Sequence, residues 1–229
     1  AACAQRPQHL SLRFGTPVKG MKPTDQGVEI DADIAESFDL AVVAEGGVFA
    51  DQPKLSWPEG VSRDYEQVAW VGTVMLGADS PTGVAFERFT PAGPAALLPL
   101  PAGRLGADGP VGPRAALVWC VQQGDDPVKD LNDAQRLTVL NSLFHPRVGP
   151  ITAVSPLKCF PLGLNAHRHL VSDGAMVRIG NAAQTLHPVA GQGFNLGMRD
   201  VHELLSALRD ARPPLCQSAS DKALWVQRA

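Results

Sequence analysis

Aromatic side chains are scarce in this chain, and neither sign of charge is in clear excess. Of its 229 residues, 6% are aromatic, one is tyrosine, and the formal net charge is −3 at pH 7. Proteins that bind nucleic acids usually present a basic surface, and those that bind single strands add aromatic rings on which bases stack. The composition therefore argues against a nucleic-acid partner, and we expect none.

Cysteine and long apolar runs are also scarce. The four cysteines, Cys3, Cys120, Cys159 and Cys216, lie far apart in the sequence and form no CxxC pair. We therefore expect reduced thiols, with no disulfide framework and no metal site. No apolar run approaches the ~20 residues that cross a bilayer, and no charged-then-apolar leader is visible. These absences predict a cytoplasmic chain.

Several motifs of nucleotide and nucleophile chemistry are missing as well. The sequence contains no Walker loop, no nucleophile elbow and no GxGxxG, the glycine loop that cradles a dinucleotide between a strand and a helix. The opening residues, AACAQRPQHL, include no methionine and are typical of a helix already under way, and the closing residues, SASDKALWVQRA, begin another helix. We therefore expect a chain that is truncated at both ends.

Short strand-like segments make up much of the sequence. Residues 9–14, 17–22 and 27–32 show partial alternation between turns, which is typical of a small antiparallel meander. Residues 38–47, FDLAVVAEGG, predict a strand buried on both faces that leads into a ligand-facing turn. Residues 67–121 contain four further candidate strands between Pro- and Gly-rich turns, which predict an antiparallel sheet.

Two helices are predicted from capping residues and from helical periodicity. In residues 130–144, Asn132 or Asp133 can cap the first turn, and Pro146 follows the last one. After Gly193, apolar residues recur at a spacing that places them on one face of a helix.

The stretch GNAAQTLHPVAGQGFN, residues 180–195, joins a predicted strand that ends at Gly180 to the second helix. Gly191 and Gly193 lie at the start of that helix, where free N–H groups and the helix dipole favour an anion or an electron-rich carbonyl. Glycine also lets a flat ligand approach the backbone closely. A tight strand-to-helix turn, in which the glycines serve only packing, is an equally open reading at this point.

The longer stretch RIGNAAQTLHPVAGQGFNLGMRD, residues 178–200, resembles the second flavin-binding motif of the class A flavoprotein aromatic hydroxylases, in the form found in their ubiquinone-biosynthesis branch. DLAVVAEGG resembles the other internal motif of this family, and AFERFTPAGPAALLPLP resembles the substrate-domain strands of that branch. The resemblance implies an α/β (α+β) fold. A partial FAD-binding, Rossmann-like domain is expected at residues 1–50 and 172–229, with an antiparallel β-sheet substrate domain at residues 51–171.

The resemblance also assigns residues to the FAD. Gly180 and Asn181 would lie against its ribityl and pyrophosphate portion, and Pro188 would face the isoalloxazine ring near the reacting edge, as a catalytic residue. Glu45 and Gly46 stand where the family usually has Asp-Gly, whose acid supports the pyrophosphate region. Because glutamate is one methylene longer, an exposed acid at the end of a strand is the alternative role for Glu45.

The start of the second helix receives the flavin ring in this family. Gly191 would let the ring approach, while Gly193, Phe194 and Asn195 would offer backbone N–H groups to its pyrimidine carbonyl. The donors would thus lie where negative charge accumulates on reduction of the flavin.

The function implied by the resemblance is that of a flavoprotein monooxygenase with FAD as cofactor and NAD(P)H as reductant. Its small-molecule substrate would be a phenol, polyprenylated if the enzyme serves ubiquinone biosynthesis. Such a substrate is compatible with peripheral contact at the inner face of the membrane or with a ubiquinone-biosynthesis complex. Because GxGxxG is missing, a second hypothesis stays open, a non-catalytic binding or assembly module for a prenylated phenol that does not bind FAD on its own.

Overall fold

The computed structural model describes residues 10–47, 49–172, 175–188 and 191–210. Within these residues the chain forms thirteen strands and two α-helices. In chain order they are β1 (Gly20–Thr24), β2 (Gly27–Ala32), β3 (Ile34–Phe38), β4 (Ala41–Val43), β5 (Gly60–Leu76), β6 (Phe86–Thr90), β7 (Gly93–Arg104), β8 (Val111–Gln122), α1 (Asp133–Leu143), β9 (Ile151–Val154), β10 (Lys158–His167), β11 (Val171–Ser172), β12 (Met176–Arg178), β13 (Gln184–Thr185) and α2 (Gln192–Asp210). The helix predicted at the end of the chain lies outside the described residues.

The chain divides into two compact units that interleave along the sequence. The first contains the described parts of residues 1–45, 169–183 and 196–229, and the second contains residues 46–168 and 184–195. The flavin and substrate roles expected for the two sequence regions stay predictions.

The first unit holds two small sheets. Strands β1, β2 and β3 form an antiparallel meander, while β12 pairs with β4 in parallel and with β11 antiparallel. Val28, Ala41, Ala175 and Met176 form its buried core. The parallel β4–β12 pair is the element that brings two predicted site segments to one sheet edge.

The second unit is built on one large antiparallel sheet. Its strand order is β13-β10-β5-β8-β7-β6, and β9 pairs with β5 beside that path. Because side chains alternate along a strand, the sheet has two distinct faces. On the helix-covered face, Leu97 and Leu117 lie opposite each other and are buried with Leu140 of α1.

The other face of this sheet, called here the pocket face, carries Ala69, Ala96, Val118 and Cys120 on the central strands. Cross-strand register pairs Ala69 with Cys120 and Ala96 with Val118, so all four side chains point the same way. Ala69 and Cys120 form a small buried cluster with Leu162.

Helix α1 forms where capping signals predict it. The Asn132 side chain accepts from the Gln135 backbone N–H, and the Gln135 side chain accepts from the Asn132 N–H, which makes a complete capping box. Phe144 ends the helix before His145 and Pro146. Asn132, rather than Asp133, is therefore the cap.

Two expectations about strands are corrected. The strand predicted at residues 9–14 is wrong for its described part, because Leu10 and Phe14 are exposed and the third meander strand is β3 on the other side of β2. The run at residues 38–47 forms only the short β4, whose Val42 is 43% exposed because β4 lies at a sheet edge.

The expected fold class is confirmed, since the chain is a mixed α/β structure dominated by antiparallel sheet. No helix among the described residues is long and apolar enough to cross a membrane.

Candidate flavin and phenol site

The ends of the parallel strands β4 and β12 bring predicted flavin-site residues of the first unit to the same sheet edge. Val43 pairs with Arg178, and the Ile179 N–H donates to the Val43 carbonyl at 3.0 Å. Glu45 follows one strand and Asn181 follows the other, and both are exposed. Ligands of α/β proteins bind outside the carboxyl ends of parallel strands, which is the position of this edge.

Gly180 makes the turn at the end of β12. Its φ of +60° lies in the left-handed region that favours glycine, and its N–H donates to Asp200 Oδ2 at 2.9 Å. Gly197 lies one helical turn before Asp200 in α2. A Cβ added at Gly197 would lie 3.5 Å from the Gly180 Cα. Asp200 therefore holds the turn, a role that sequence reasoning missed although the residue closes the quoted motif.

The N-terminus of α2 is open on the side where the predicted flavin contacts lie. Gly191 has a φ of +60°, and a Cβ added at Gly191 or Gly193 would meet no atom within 4 Å. Phe194 is 77% exposed, and the Asn195 Nδ2 donates to the Gln192 Oε1 at 3.2 Å. A flat ring thus has room to reach the backbone.

Helix geometry refines which amides are available at this terminus. Because α2 begins at Gln192, Gly193 and Phe194 lie in its first turn, where N–H groups have no intrahelical partner. Asn195 is the first residue whose N–H can pair with the carbonyl four residues earlier. The backbone donors predicted at Gly193 and Phe194 fit this arrangement better than the one predicted at Asn195.

The segment before Pro188 is fastened to the large sheet. Strand β13 pairs with β10, and the Thr185 hydroxyl donates to the Gln52 Oε1 at 2.8 Å. His187 Nε2 lies 2.9 Å from the Gln67 Oε1, and its ring meets Tyr65 edge to face at 5.5 Å between centroids. These contacts set the position of Pro188, which follows His187 directly.

Burial lowers the pKa of His187 below its ordinary value of 6.5. The neutral ring, with its proton on Nε2, then donates to the Gln67 carbonyl oxygen.

Acidification is expected to destabilise the second unit through His187. Because the folded pKa is lowered, the unfolded chain takes up the proton first as the pH falls. Stability is therefore fully present above the unfolded pKa of about 6.5 and declines as the pH falls through it toward the folded pKa. His187→Gln should flatten this part of a plot of unfolding free energy against pH, measured in urea. The exposed His202→Gln is the control, and an unchanged slope in His187→Gln would contradict the assignment.

A pocket of about 330 Å³ lies on the pocket face of the sheet. Ala96, Leu98 and Val118 of the sheet contribute to its wall, and so do Pro188 and Gly191 from the loop that leads into α2. The predicted catalytic proline and one predicted flavin-loop glycine therefore share a cavity with the strands of the sheet. Its volume is at the lower end of the range for small-molecule sites.

Cys120 lies in the wall of this pocket and is 1% exposed. Burial and, to a smaller extent, the charge of Glu87 raise its pKa to about 11. The thiol is therefore neutral at physiological pH and acts as a small, weakly polar part of the wall.

A second, larger groove of about 440 Å³ opens beside the helix-covered face. Leu97 and Ala115 line it, together with proline-rich segments, and Arg114 is its charged residue. The Arg114 guanidinium donates to the carbonyls of Pro101 and Arg104, both at 2.9 Å, so it is tied to the β7–β8 hairpin. The groove is thus apolar along most of its length.

Comparison with known proteins identifies the class. Residues 95–223 match the model of the FAD binding domain family, which is more than half of the 229 residues. The chain belongs to the FAD binding domain family.

Its relatives include enzymes of ubiquinone biosynthesis. The chain is 37% identical over 145 residues to the ubiquinone hydroxylase UbiL of Rhodospirillum rubrum, a match that covers 63% of this chain and 31% of the relative. It is 32% identical over 206 residues to the mitochondrial ubiquinone biosynthesis monooxygenase COQ6 of Drosophila melanogaster, covering 75% of this chain and 40% of the relative. The chain therefore spans well under half the length of these relatives.

A solved structure shows the same fold. The 2,6-dihydroxypyridine-3-hydroxylase of Arthrobacter nicotinovorans superposes with a TM-score of 0.60 at 15% identity, covering 93% of this chain and 59% of that one. The resemblance to the flavoprotein aromatic hydroxylases and their ubiquinone branch is confirmed by these matches, and FAD is the cofactor of the family.

Proposed function

We propose that this chain is part of a longer FAD-dependent monooxygenase that hydroxylates a polyprenylated phenol in ubiquinone biosynthesis, with NAD(P)H as the reductant. One observation carries the proposal. The loop that resembles the flavin motif supplies Pro188 and Gly191 to a pocket whose other wall is the antiparallel sheet. A flavin edge and a small aromatic ring can meet in such a cavity.

The residues present fit a flavin. Gly191 and Gly193 leave open space beside the N-terminus of α2, and a helix N-terminus stabilises the negative charge of a reduced flavin's pyrimidine carbonyl. When bound, the FAD would supply the oxygen-transfer chemistry, and the protein would orient the ring and exclude water. Gly193 and Phe194 would give backbone hydrogen bonds, and Pro188 would pack at the reacting edge.

Glu45, Gly46, Gly180 and Asn181 would hold the ribityl and pyrophosphate portion. The exposed positions of Glu45 and Asn181 after two adjacent parallel strands support this assignment. In the same proposal, residues 1–50 and 172–229 serve the flavin and residues 51–171 serve the substrate.

Two cavities of the second unit support the proposed substrate class. The smaller pocket has mainly apolar walls suited to an aromatic ring, and the larger groove has the apolar lining that an isoprenoid chain needs. The flavin-motif stretch resembles that of 2-octaprenyl-6-methoxyphenol hydroxylase, which makes a polyprenylated methoxyphenol the first substrate to test. Such a substrate would also be compatible with peripheral contact at a membrane or with a biosynthetic complex.

The coding sequence upstream of Ala1 tests the proposal. An in-frame segment that encodes a strand, a GxGxxG loop and a helix is expected, because these supply the adenosine pyrophosphate cradle. A native start codon directly at Ala1 would instead favour a binding or assembly module.

The 229-residue chain alone is expected to bind FAD weakly or not at all, because it lacks GxGxxG. Titration followed by flavin absorbance and fluorescence measures this directly. Tight, stoichiometric binding with a perturbed flavin spectrum would contradict the expectation.

A further inference from the structure

Among the described residues that line the pocket containing Pro188, one side chain is charged, that of Glu87 on the edge strand β6. Glu87 lies directly opposite Ala96 in the β6–β7 pair, and Ala96 is itself part of the pocket face. Because directly opposed residues project to the same side of an antiparallel sheet, the Glu87 carboxylate points to the side on which the pocket lies.

The other side chains of the pocket wall are mainly apolar, so they offer few hydrogen bonds to a polar group of a ligand. Apart from Glu87 and Cys120, the lining residues are alanine, proline, glycine, leucine, valine and phenylalanine. The thiol of Cys120 is neutral and a weak hydrogen-bonding group. Among these side chains, the Glu87 carboxylate is therefore the one strong hydrogen-bond acceptor for the hydroxyl of a ligand whose ring is otherwise apolar.

We propose that Glu87 accepts a hydrogen bond from the ring hydroxyl of a phenol bound in this pocket, and that it thereby selects free phenols over their ethers. The identity of this ligand as the substrate rests on the proposed monooxygenase function. The selection itself is a property of the pocket and of Glu87.

The hydrogen-bonding chemistry of the Glu87 carboxylate and the phenol hydroxyl explains the selection. A carboxylate has acceptor oxygens and, when ionised, no proton to donate, so it bonds a phenol O–H but not an ether oxygen. A hydrogen bond to a charged group is stronger than one between neutral groups. The same bond draws the phenol proton toward the carboxylate and leaves more electron density on the ring, which favours attack by an electrophilic oxygen. Glu87 would thus both orient the ring and support its hydroxylation.

Binding measured without reductant tests the selection. The complete FAD-containing protein is incubated with 2-methoxyphenol and, separately, with its ether 1,2-dimethoxybenzene, and each affinity is measured by calorimetry or ligand-observed NMR. The wild-type protein is expected to prefer the phenol by about tenfold, since the lost partner is a charge-assisted hydrogen bond. Glu87→Ala should reduce the preference to about twofold or less by weakening phenol binding while ether binding stays the same.

Two further variants sharpen the result. Glu87→Asp keeps the charge and should retain part of the preference. Arg88 is next to Glu87 in β6 but is not among the residues that line the pocket. Arg88→Gln therefore removes a neighbouring charge and should leave the preference for the phenol intact. An unchanged preference in Glu87→Ala, with ether binding intact, would overturn the proposal.

Turnover separates this inference from the proposed function. If the wild-type protein prefers phenols in binding but hydroxylates none of the phenols supplied, including a polyprenylated methoxyphenol, the monooxygenase proposal fails and the role of Glu87 in binding stands. If it hydroxylates phenols but Glu87→Ala binds and turns them over as the wild type does, the role of Glu87 fails alone.

Discussion

Gly193→Leu is expected to lower the FAD affinity of the complete protein by about 100-fold, equivalent to ~2.7 kcal/mol. The space beside Gly193 is open, so the leucine side chain fits the protein but occupies the volume in which the flavin ring would lie. The first turn of α2 should tolerate the change, because leucine favours helix more than glycine does. Loss of flavin without loss of stability is therefore the expected signature, read from the absorbance of the purified protein and from FAD titration.

Gly197→Ala is the matched control for this experiment. It lies on the same helix, and its added Cβ would meet the Gly180 Cα at an ordinary contact distance of 3.5 Å. Like the leucine variant it exchanges glycine for a better helix former, so both should unfold at or slightly above the wild-type temperature. Gly197→Ala should keep its FAD. Full flavin content in Gly193→Leu would show that the ring binds elsewhere.

Leu97→Ala is expected to destabilise the large sheet by about 2–5 kcal/mol, the cost of an unfilled cavity in a packed core. Leu97 is 1% exposed and packs with Leu117 and other residues of the helix-covered core. The adjacent Leu98 is 43% exposed and lines the smaller pocket. Leu98→Ala should therefore cost less than about 1 kcal/mol but weaken binding of an aromatic ligand.

Urea unfolding of the two variants and calorimetric binding of 2-methoxyphenol distinguish the two faces of β7. The account predicts a large loss of stability in Leu97→Ala and a loss of affinity, with near-normal stability, in Leu98→Ala. Equal destabilisation by both substitutions would show that Leu98 belongs to a core, and the cavity would then not be a ligand pocket.

Local signals made the helices predictable. The Asn132 cap, the proline after α1 and the periodicity after Gly193 act within a few residues of one another, so they can be read from the sequence. Strand lengths were not predictable, since β5 extends over Gly60–Leu76 and was expected only from residue 67, whereas β4 is shorter than the run predicted at residues 38–47. A strand's extent depends on partners that are distant in sequence, and no local pattern specifies them.

The resemblance of residues 178–200 to a flavin motif could be recognised because their glycines and proline lie in one continuous stretch. The pocket could not be predicted, because Glu87, Cys120 and Pro188 come from three separate segments that meet only when the sheet forms. The sequence alone assigns Glu87 no role. The register of β6 against β7 is what gives it a place beside the pocket.

Isotope labelling tests the proposed monooxygenase activity. The complete protein, with FAD bound, is supplied with NAD(P)H, a polyprenylated methoxyphenol and ¹⁸O₂, and the product is analysed by mass spectrometry. The account predicts a hydroxylated product that carries one ¹⁸O atom from O₂. NAD(P)H oxidation that leaves the phenol unchanged, or a product whose new oxygen comes from water, would contradict it.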